Sequence, residues 1–254
     1  MSDIYNNAYI KISAVAGSRK KNKLNHIPWE QFKNIAGIIE LNQNKKILDA
    51  GCGIGGVAKY YASNYGSKVT AVDHSTDMIE YAKSNNSSPM VSYMVGSFPD
   101  VLSDLDTFDV ILCILWLSDI EGSRTGLIEK FVSKLSKNGY LVIADWLINN
   151  DKEPQLIEEL RKGWHHQPPY ATPEKLREFL TQTGLKIVKE DYLSTDLKSH
   201  WTSVYENLIN GKKELYASVD KKIVDERIHL VEITKKAIDE EILCAPIFIC
   251  KKVS

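Results

Sequence analysis

Asp49 stands one residue before the glycine-rich turn Gly51-Cys52-Gly53-Ile54-Gly55-Gly56, at the end of the apolar run Ile47-Leu48-Asp49-Ala50. Glycine lets a strand turn sharply and lets a ligand approach its backbone without interference from a Cβ, so this tract reads as a loop for a nucleotide-type cofactor. Gly51, Gly53 and Gly56 also satisfy the G-x-G-x-x-G spacing of dinucleotide sites, with Asp73 about 20 residues downstream as the ribose carboxylate. The spacing therefore admits NAD as well as S-adenosylmethionine. Asp49 tilts the choice, because a carboxylate before the first glycine attracts a cation and repels a pyrophosphate. S-adenosylmethionine carries a sulfonium and an ammonium; NAD carries two phosphates.

Proton-moving groups lie further along. Histidine is the side chain best suited to deprotonate an acceptor near neutral pH, and His165 and His166 are adjacent in Gly163-Trp164-His165-His166-Gln167. Neighbouring side chains point different ways, so one of the pair is expected to reach a substrate. Asp145 ends an apolar run, at the position where ligands meet an open α/β sheet, and could orient a histidine or bind an acceptor amine.

The elements that must position these groups alternate. Pro28 opens a helix whose Trp29, Phe32, Ile35, Ala36 and Ile39 repeat at helical spacing. Strands follow at 46–50, 68–73, 90–94, 108–114 and 139–145, with helices at 55–65, 75–84 and 123–136. Apolar strands at such intervals imply a parallel sheet covered on both faces. Beyond Asp145 come a polar helix at 154–162 and the break at Pro168-Pro169. A helix capped by Thr172 with Pro173 in its first turn ends at Gly184. A strand over 185–192, a long helical insertion over 194–243 and an apolar last strand over 245–251 complete the chain.

The tract Leu48-Asp49-Ala50-Gly51-Cys52-Gly53-Ile54-Gly55-Gly56 resembles motif I of the class I S-adenosylmethionine-dependent methyltransferases. Matches follow in the family's order: Val69-Thr70-Ala71-Val72-Asp73, Phe108-Asp109-Val110-Ile111-Leu112-Cys113, and Leu135 to Asp145 around Asn138-Gly139. The glycine loop and the long insert look most like the small-molecule branch, such as the sarcosine and dimethylglycine, tocopherol and sugar methyltransferases. The resemblance implies an α/β fold, a Rossmann-like, mainly parallel seven-stranded sheet with helices on both faces and a helical lid. It implies a single domain over 1–254, with a cofactor core at 28–145 and lid and acceptor segments at 146–183 and 194–243. The last strand should run antiparallel beside the sixth.

S-adenosylmethionine is then expected against Asp49, Gly51, Cys52, Gly53 and Gly55, with Asp73 on the ribose, His74, Ser97 and Phe98 around the adenine, Met78 and Gly96 as further cofactor residues, and the stretch from Cys113 to Asp119 bordering both cofactor and acceptor. Ser97 departs from the family, which usually has an aspartate there; a hydroxyl accepts more weakly than a carboxylate. The family's histidine near Ser118 is absent. Trp116, Trp164, Trp201 and Tyr205 are the expected acceptor walls, and the resemblance places His165 and His166 over that pocket. The Asn/Asp-Pro-Pro-Tyr/Phe tetrad of amide- and adenine-directed relatives is missing; Gln167-Pro168-Pro169-Tyr170 follows the fifth strand, not the fourth.

The chain has 254 residues, 43% of them hydrophobic, and its 32 basic and 33 acidic residues give a net charge of -1. It can bury a large core without disulfides or metal, and it lacks the basic excess of a nucleic-acid groove. Cys52, Cys113, Cys244 and Cys250 have no C-x-x-C spacing, which predicts reduced core residues and no zinc. No apolar run approaches a membrane span, so the expected location is cytoplasmic. The expected function is methyl transfer to oxygen or nitrogen of a small molecule. A cofactor-binding protein without methyl-transfer chemistry and a nicotinamide-dependent oxidoreductase are the alternatives.

Overall fold

The computed structural model describes residues 8, 11–17, 25–117, 124–149, 152–163, 172–192 and 194–253. Helix α1 (Trp29–Ile38) follows Pro28, whose φ of -58° suits the entry to a helix, and it buries Phe32, Ile35 and Ala36. Strand β1 (Lys46–Ala50), helix α2 (Gly56–Tyr65), strand β2 (Lys68–Asp73), helix α3 (Thr76–Asn85), strand β3 (Val91–Val95) and strand β4 (Phe108–Ile114) then alternate. Helix α4 (Arg124–Lys134) and strand β5 (Leu135–Ala144) close the parallel half. After the short strand β6 (Leu147–Ile148) come helices α5 (Pro154–Gly163) and α6 (Pro173–Gln182) and strand β7 (Leu185–Asp191). The helix pair α7 (Ser194–Tyr216) and α8 (Lys221–Asp239), the segment expected to form a lid, leads to the short strand β8 (Leu243–Cys244) and strand β9 (Ile247–Lys252).

The main sheet has seven strands in the order β3-β2-β1-β4-β5-β9-β7. The first five are mutually parallel, and β9 pairs antiparallel with β5 on one side and β7 on the other. Side chains alternate across it, as the period of a strand requires. Ile47, Val69, Val110 and Leu112 pack under α1 and α2 with Phe32 and Tyr61. Leu48, Ile111, Leu141 and Phe248 face the other way, against Phe131 of α4 and Leu180 of α6. Each such large side chain, fully removed from water, contributes roughly 1.5–3 kcal/mol.

The expected start of α6 is found: Thr172 Oγ1 accepts from the Lys175 N–H at 3.3 Å, and Gly184, at φ +79°, lets the chain turn into β7. Two boundaries differ from expectation. Strand β5 begins at Leu135 rather than 139, because an irregularity in the β4 register between Phe108 and Val110 lets Phe108 pair with Leu135. The last strand begins at Ile247, because Leu243 and Cys244 instead pair with Ile148 and Leu147 in a separate two-stranded ribbon. That ribbon ties the lid's end to the segment after β5. Within the lid, Trp146, Leu160, Leu230 and Ile233 form one apolar cluster. Ile12 and Ala16 of the helical stretch at 11–15 and its following turn join Leu208 and Ile228 in another.

Candidate functional site

The glycine loop between β1 and α2 is held open by backbone geometry. Gly51, Gly53 and Gly55 have φ of 71°, 52° and 76°, a left-handed region that costs side-chain-bearing residues roughly 1–2 kcal/mol. At two positions glycine is also required by the protein's own packing. A Cβ on Gly51 would lie 2.5 Å from Cγ of Trp116, and one on Gly55 would lie 2.5 Å from the Tyr93 hydroxyl oxygen. The space is taken by the protein's own aromatic rings, which pack directly on the loop backbone.

Asp73, at the end of β2, fastens this loop. Its Oδ2 accepts from the Gly53 N–H at 2.8 Å, and its Oδ1 accepts from the Ser75 N–H at 2.9 Å. Ser75, not Asp73, caps α3: its hydroxyl accepts from the Met78 N–H at 3.4 Å. Gly51 and Cys52 both donate backbone N–H bonds to the Val72 carbonyl. From the other side the buried Asn86 amide donates to the Ile54 carbonyl at 2.7 Å. The Tyr93 hydroxyl lies 2.8 Å from the Asn86 carbonyl and 3.2 Å from that of Gly55, and donates to the nearer. Asn86 and Tyr93 escaped the sequence reading because neither belongs to a motif; each acts through loop atoms 32 and 38 residues away.

The electrostatics favour a cation. Asp49 is 2% exposed, and its Oδ2 has no hydrogen-bond partner among the described residues. Burial pushes its carboxyl up to about 7, the charge of Asp73 adds to the rise, and the Ala58 backbone N–H pulls against it. Burial, then the charges of Asp49 and Asp73, holds the Cys52 thiol well above its ordinary range. Cys113 is raised in the same direction by burial, Asp145 and Asp49. Three carboxylates thus converge on the carboxyl ends of β1, β2 and β5. A pyrophosphate would meet this field unfavourably, whereas a sulfonium or ammonium would supply the partner that Asp49 lacks.

Past β3, Gly96 donates to the Asp73 carbonyl at 3.0 Å, and its missing side chain makes room for Val101. Ser97 and Phe98 follow. The Phe98 ring lies 5.3 Å from that of Trp116 and 5.3 Å from that of Phe131. Met78 is buried. His74 is largely exposed, with Nδ1 3.6 Å from Asp73 Oδ1. Trp116 packs against Gly51 of the glycine loop and against Phe98.

At the other end, Asp145 follows β5, is buried, and accepts from the Trp146 N–H at 2.8 Å. Trp146 begins an aromatic cluster: its ring lies 4.9 Å from His26 and 5.7 Å from Trp201, while His200 lies 5.9 Å from His26 and 6.0 Å from Trp201. The indole Nε1 of Trp201 is buried without a partner among the described residues. His26 and Trp146 were missed because the contact joins residues far apart in sequence across three elements. Tyr205 packs with Leu208 and Ile12 in the apolar cluster that Trp201 also borders. Trp164, His165 and His166 lie outside the described residues.

Residues 47–139 match the family described as methyltransferase domain. Over 190 residues the chain is 26% identical to the glycine/sarcosine/dimethylglycine N-methyltransferase of Actinopolyspora halophila, covering 72% of this chain and 33% of that protein. Against the phosphoethanolamine N-methyltransferase of Plasmodium falciparum it is 29% identical over 188 residues, covering 70% of this chain and 65% of that one. The chain thus spans less than two thirds of the length of either relative. Among solved structures, the cyclopropane synthase MmaA2 from Mycobacterium tuberculosis superposes with a TM-score of 0.76 at 16% identity, over 88% of this chain and 83% of that one. At that identity the likeness speaks to the fold alone.

Proposed function

We propose that the chain is a class I S-adenosylmethionine-dependent methyltransferase that transfers a methyl group to oxygen or nitrogen of a small molecule. The observation that carries this reading is the buried, unpartnered Oδ2 of Asp49 beside the carboxylate of Asp73. An anionic site of this kind fits a cationic cofactor and opposes the dinucleotide that the glycine spacing alone would allow.

When bound, S-adenosylmethionine supplies an electrophilic methyl on a sulfonium. The residues that would hold it are Asp49 and the loop at Gly51, Cys52, Gly53 and Gly55, with Asp73 on the ribose. His74, Met78, Gly96, Ser97, Phe98 and Cys113 would flank the adenine. The chain's own contribution is positioning in a dry pocket, which can lower such a barrier by roughly 7–11 kcal/mol. The acceptor end would be formed by Trp146, Trp201, His26 and His200, whose rings lie against one another. Asp145 would orient a proton-accepting histidine or hold an acceptor amine. His165 and His166 are proposed as the proton acceptors for a hydroxyl substrate, with Trp164 and Tyr205 as outer parts of the acceptor and lid segments.

Several observations support a protein of a reducing, aqueous compartment, for which we propose the cytoplasm. All four cysteines are free, and no helix among the described residues is long and apolar enough to cross a membrane. The near-zero net charge supports a small-molecule acceptor rather than a nucleic acid. The test is incubation with S-adenosylmethionine and a panel of small amines and hydroxyl compounds, read by mass spectrometry. A product one methyl group heavier, formed mole for mole with S-adenosylhomocysteine, is the expected result. Tight cofactor binding with no turnover of any acceptor would favour the non-catalytic alternative.

A further inference from the structure

Gly51, Gly53, Gly55 and Gly56 crowd into one short loop. Glycine has more backbone freedom to lose than any other residue, so such a loop is not fixed by its own sequence. A relay from β3 fixes its far end. Asn86, fully buried at the end of α3, donates its side-chain amide to the Ile54 carbonyl at 2.7 Å. The Tyr93 hydroxyl donates to the Asn86 carbonyl at 2.8 Å. The same ring fills the place of a side chain on Gly55, where a Cβ would lie 2.5 Å from the hydroxyl oxygen, 2.6 Å from Cε1 and 2.8 Å from Cζ. Tyr93 thus holds two consecutive loop residues, Gly55 by contact and Ile54 through Asn86. Gly55 is the N-cap of α2, and its carbonyl accepts from the Lys59 N–H at 3.0 Å. The first turn of α2 in turn addresses Asp49 through the Ala58 N–H.

We propose that Tyr93 and Asn86 are positioning residues for the cofactor, holding the glycine loop in its binding conformation before the ligand arrives, so that affinity depends on the Tyr93 hydroxyl. The inference rests on the methyltransferase reading and adds to it two residues outside its motifs. The entropy of ordering the glycines is then lost during folding, and cofactor binding does not bear that cost. Burial, and after it Cys52 and Asp49, hold the Tyr93 hydroxyl above its ordinary range, so it remains a donor at every pH at which the protein works. A purely architectural tyrosine would behave differently: its loss would lower stability and leave cofactor affinity as it was.

The test needs no knowledge of the acceptor. S-adenosylhomocysteine is titrated calorimetrically into wild type, Tyr93→Phe and a variant carrying 4-aminophenylalanine at position 93, which keeps the ring and restores a donor. Hydrogen exchange of the amides at 51–58 is followed in the free proteins, and thermal unfolding reports any general loss of stability. One neutral hydrogen bond is worth about five-fold in an equilibrium. Tyr93→Phe should therefore bind about five-fold more weakly and exchange its loop amides about five-fold faster, and the 4-aminophenylalanine variant should match wild type in both. Wild-type affinity in Tyr93→Phe, even with a lowered Tm, overturns the positioning role. Equal losses in the two variants overturn it as well, because the ring's fit and not its donor would then be responsible. Either result leaves the methyltransferase reading intact, whereas failure of wild type to bind S-adenosylhomocysteine overturns both.

Discussion

If the Asp49 carboxyl is the cation's partner, cofactor affinity must depend on pH in a calculable way. In the free protein the group is pushed up to about 7, first by burial and then by Asp73. A cation against it would return it toward the ordinary value of about 3.9. Affinity then scales with the ionised fraction in the free protein, which is about 1% at pH 5 and about half at pH 7. Binding should tighten about 50-fold over that interval, roughly 2.3 kcal/mol, and level off above it. The ligand's own amino group, with a pKa of about 7.7–8.0, stays protonated up to pH 7 and does not imitate the effect. Calorimetric titration of S-adenosylmethionine at pH 5, 6 and 7, in buffers of different ionisation enthalpy, reads both the affinity and the proton released. Asp49→Asn should abolish the slope and bind at pH 7 about as weakly as wild type does at pH 5. A flat profile in wild type, or an unchanged slope in the variant, would refute the assignment of Asp49 to the cation.

The same carboxyl burdens the free protein. Because its folded pKa is raised, stability is lost as pH climbs from about 4 through about 7 and is constant above. Relative to wild type, Asp49→Asn should therefore gain thermal stability progressively over that window, and a difference independent of pH would sink the idea. Asp73→Ala removes the acceptor for the Gly53 and Ser75 N–H groups as well as the proposed ribose contact; a loss of about 1.5–3 kcal/mol, or roughly 10- to 150-fold in cofactor Kd, is expected. An unchanged Kd would leave Asp73 with no binding role. For a hydroxyl acceptor, His165→Ala and His166→Ala should leave cofactor binding intact while one of them lowers kcat; equal turnover in both removes this pair from the mechanism.

The residues differ in how far sequence alone could reveal their roles. The loop at Gly51 to Gly56, the acid ending β2 and the cap at Thr172 are local signals, in which neighbours a few positions apart act on one another, and the structure places each in the expected element. The alternation of strands and helices was legible because a strand covered on both faces needs a continuous apolar run. The causes of the glycines were not. Trp116 and Tyr93 reach Gly51 and Gly55 from 65 and 38 residues away, a distance that no spacing rule spans. The same holds for the β6–β8 ribbon and for His26 against Trp146, whose partners lie about 95 and 120 residues apart in the chain. Trp116 is a further case: its contacts with Gly51 and Phe98 join the segment after β4 to the glycine loop across 65 residues.

The most direct measurement is parallel calorimetry of the wild-type protein at pH 7.5 with S-adenosylmethionine, S-adenosylhomocysteine and NAD. Saturable binding of the first two with none of NAD is the predicted result, since a buried carboxyl beside the glycine loop favours a cation and opposes a pyrophosphate. Binding of NAD without either adenosyl ligand would contradict the role assigned to Asp49 and the function built on it.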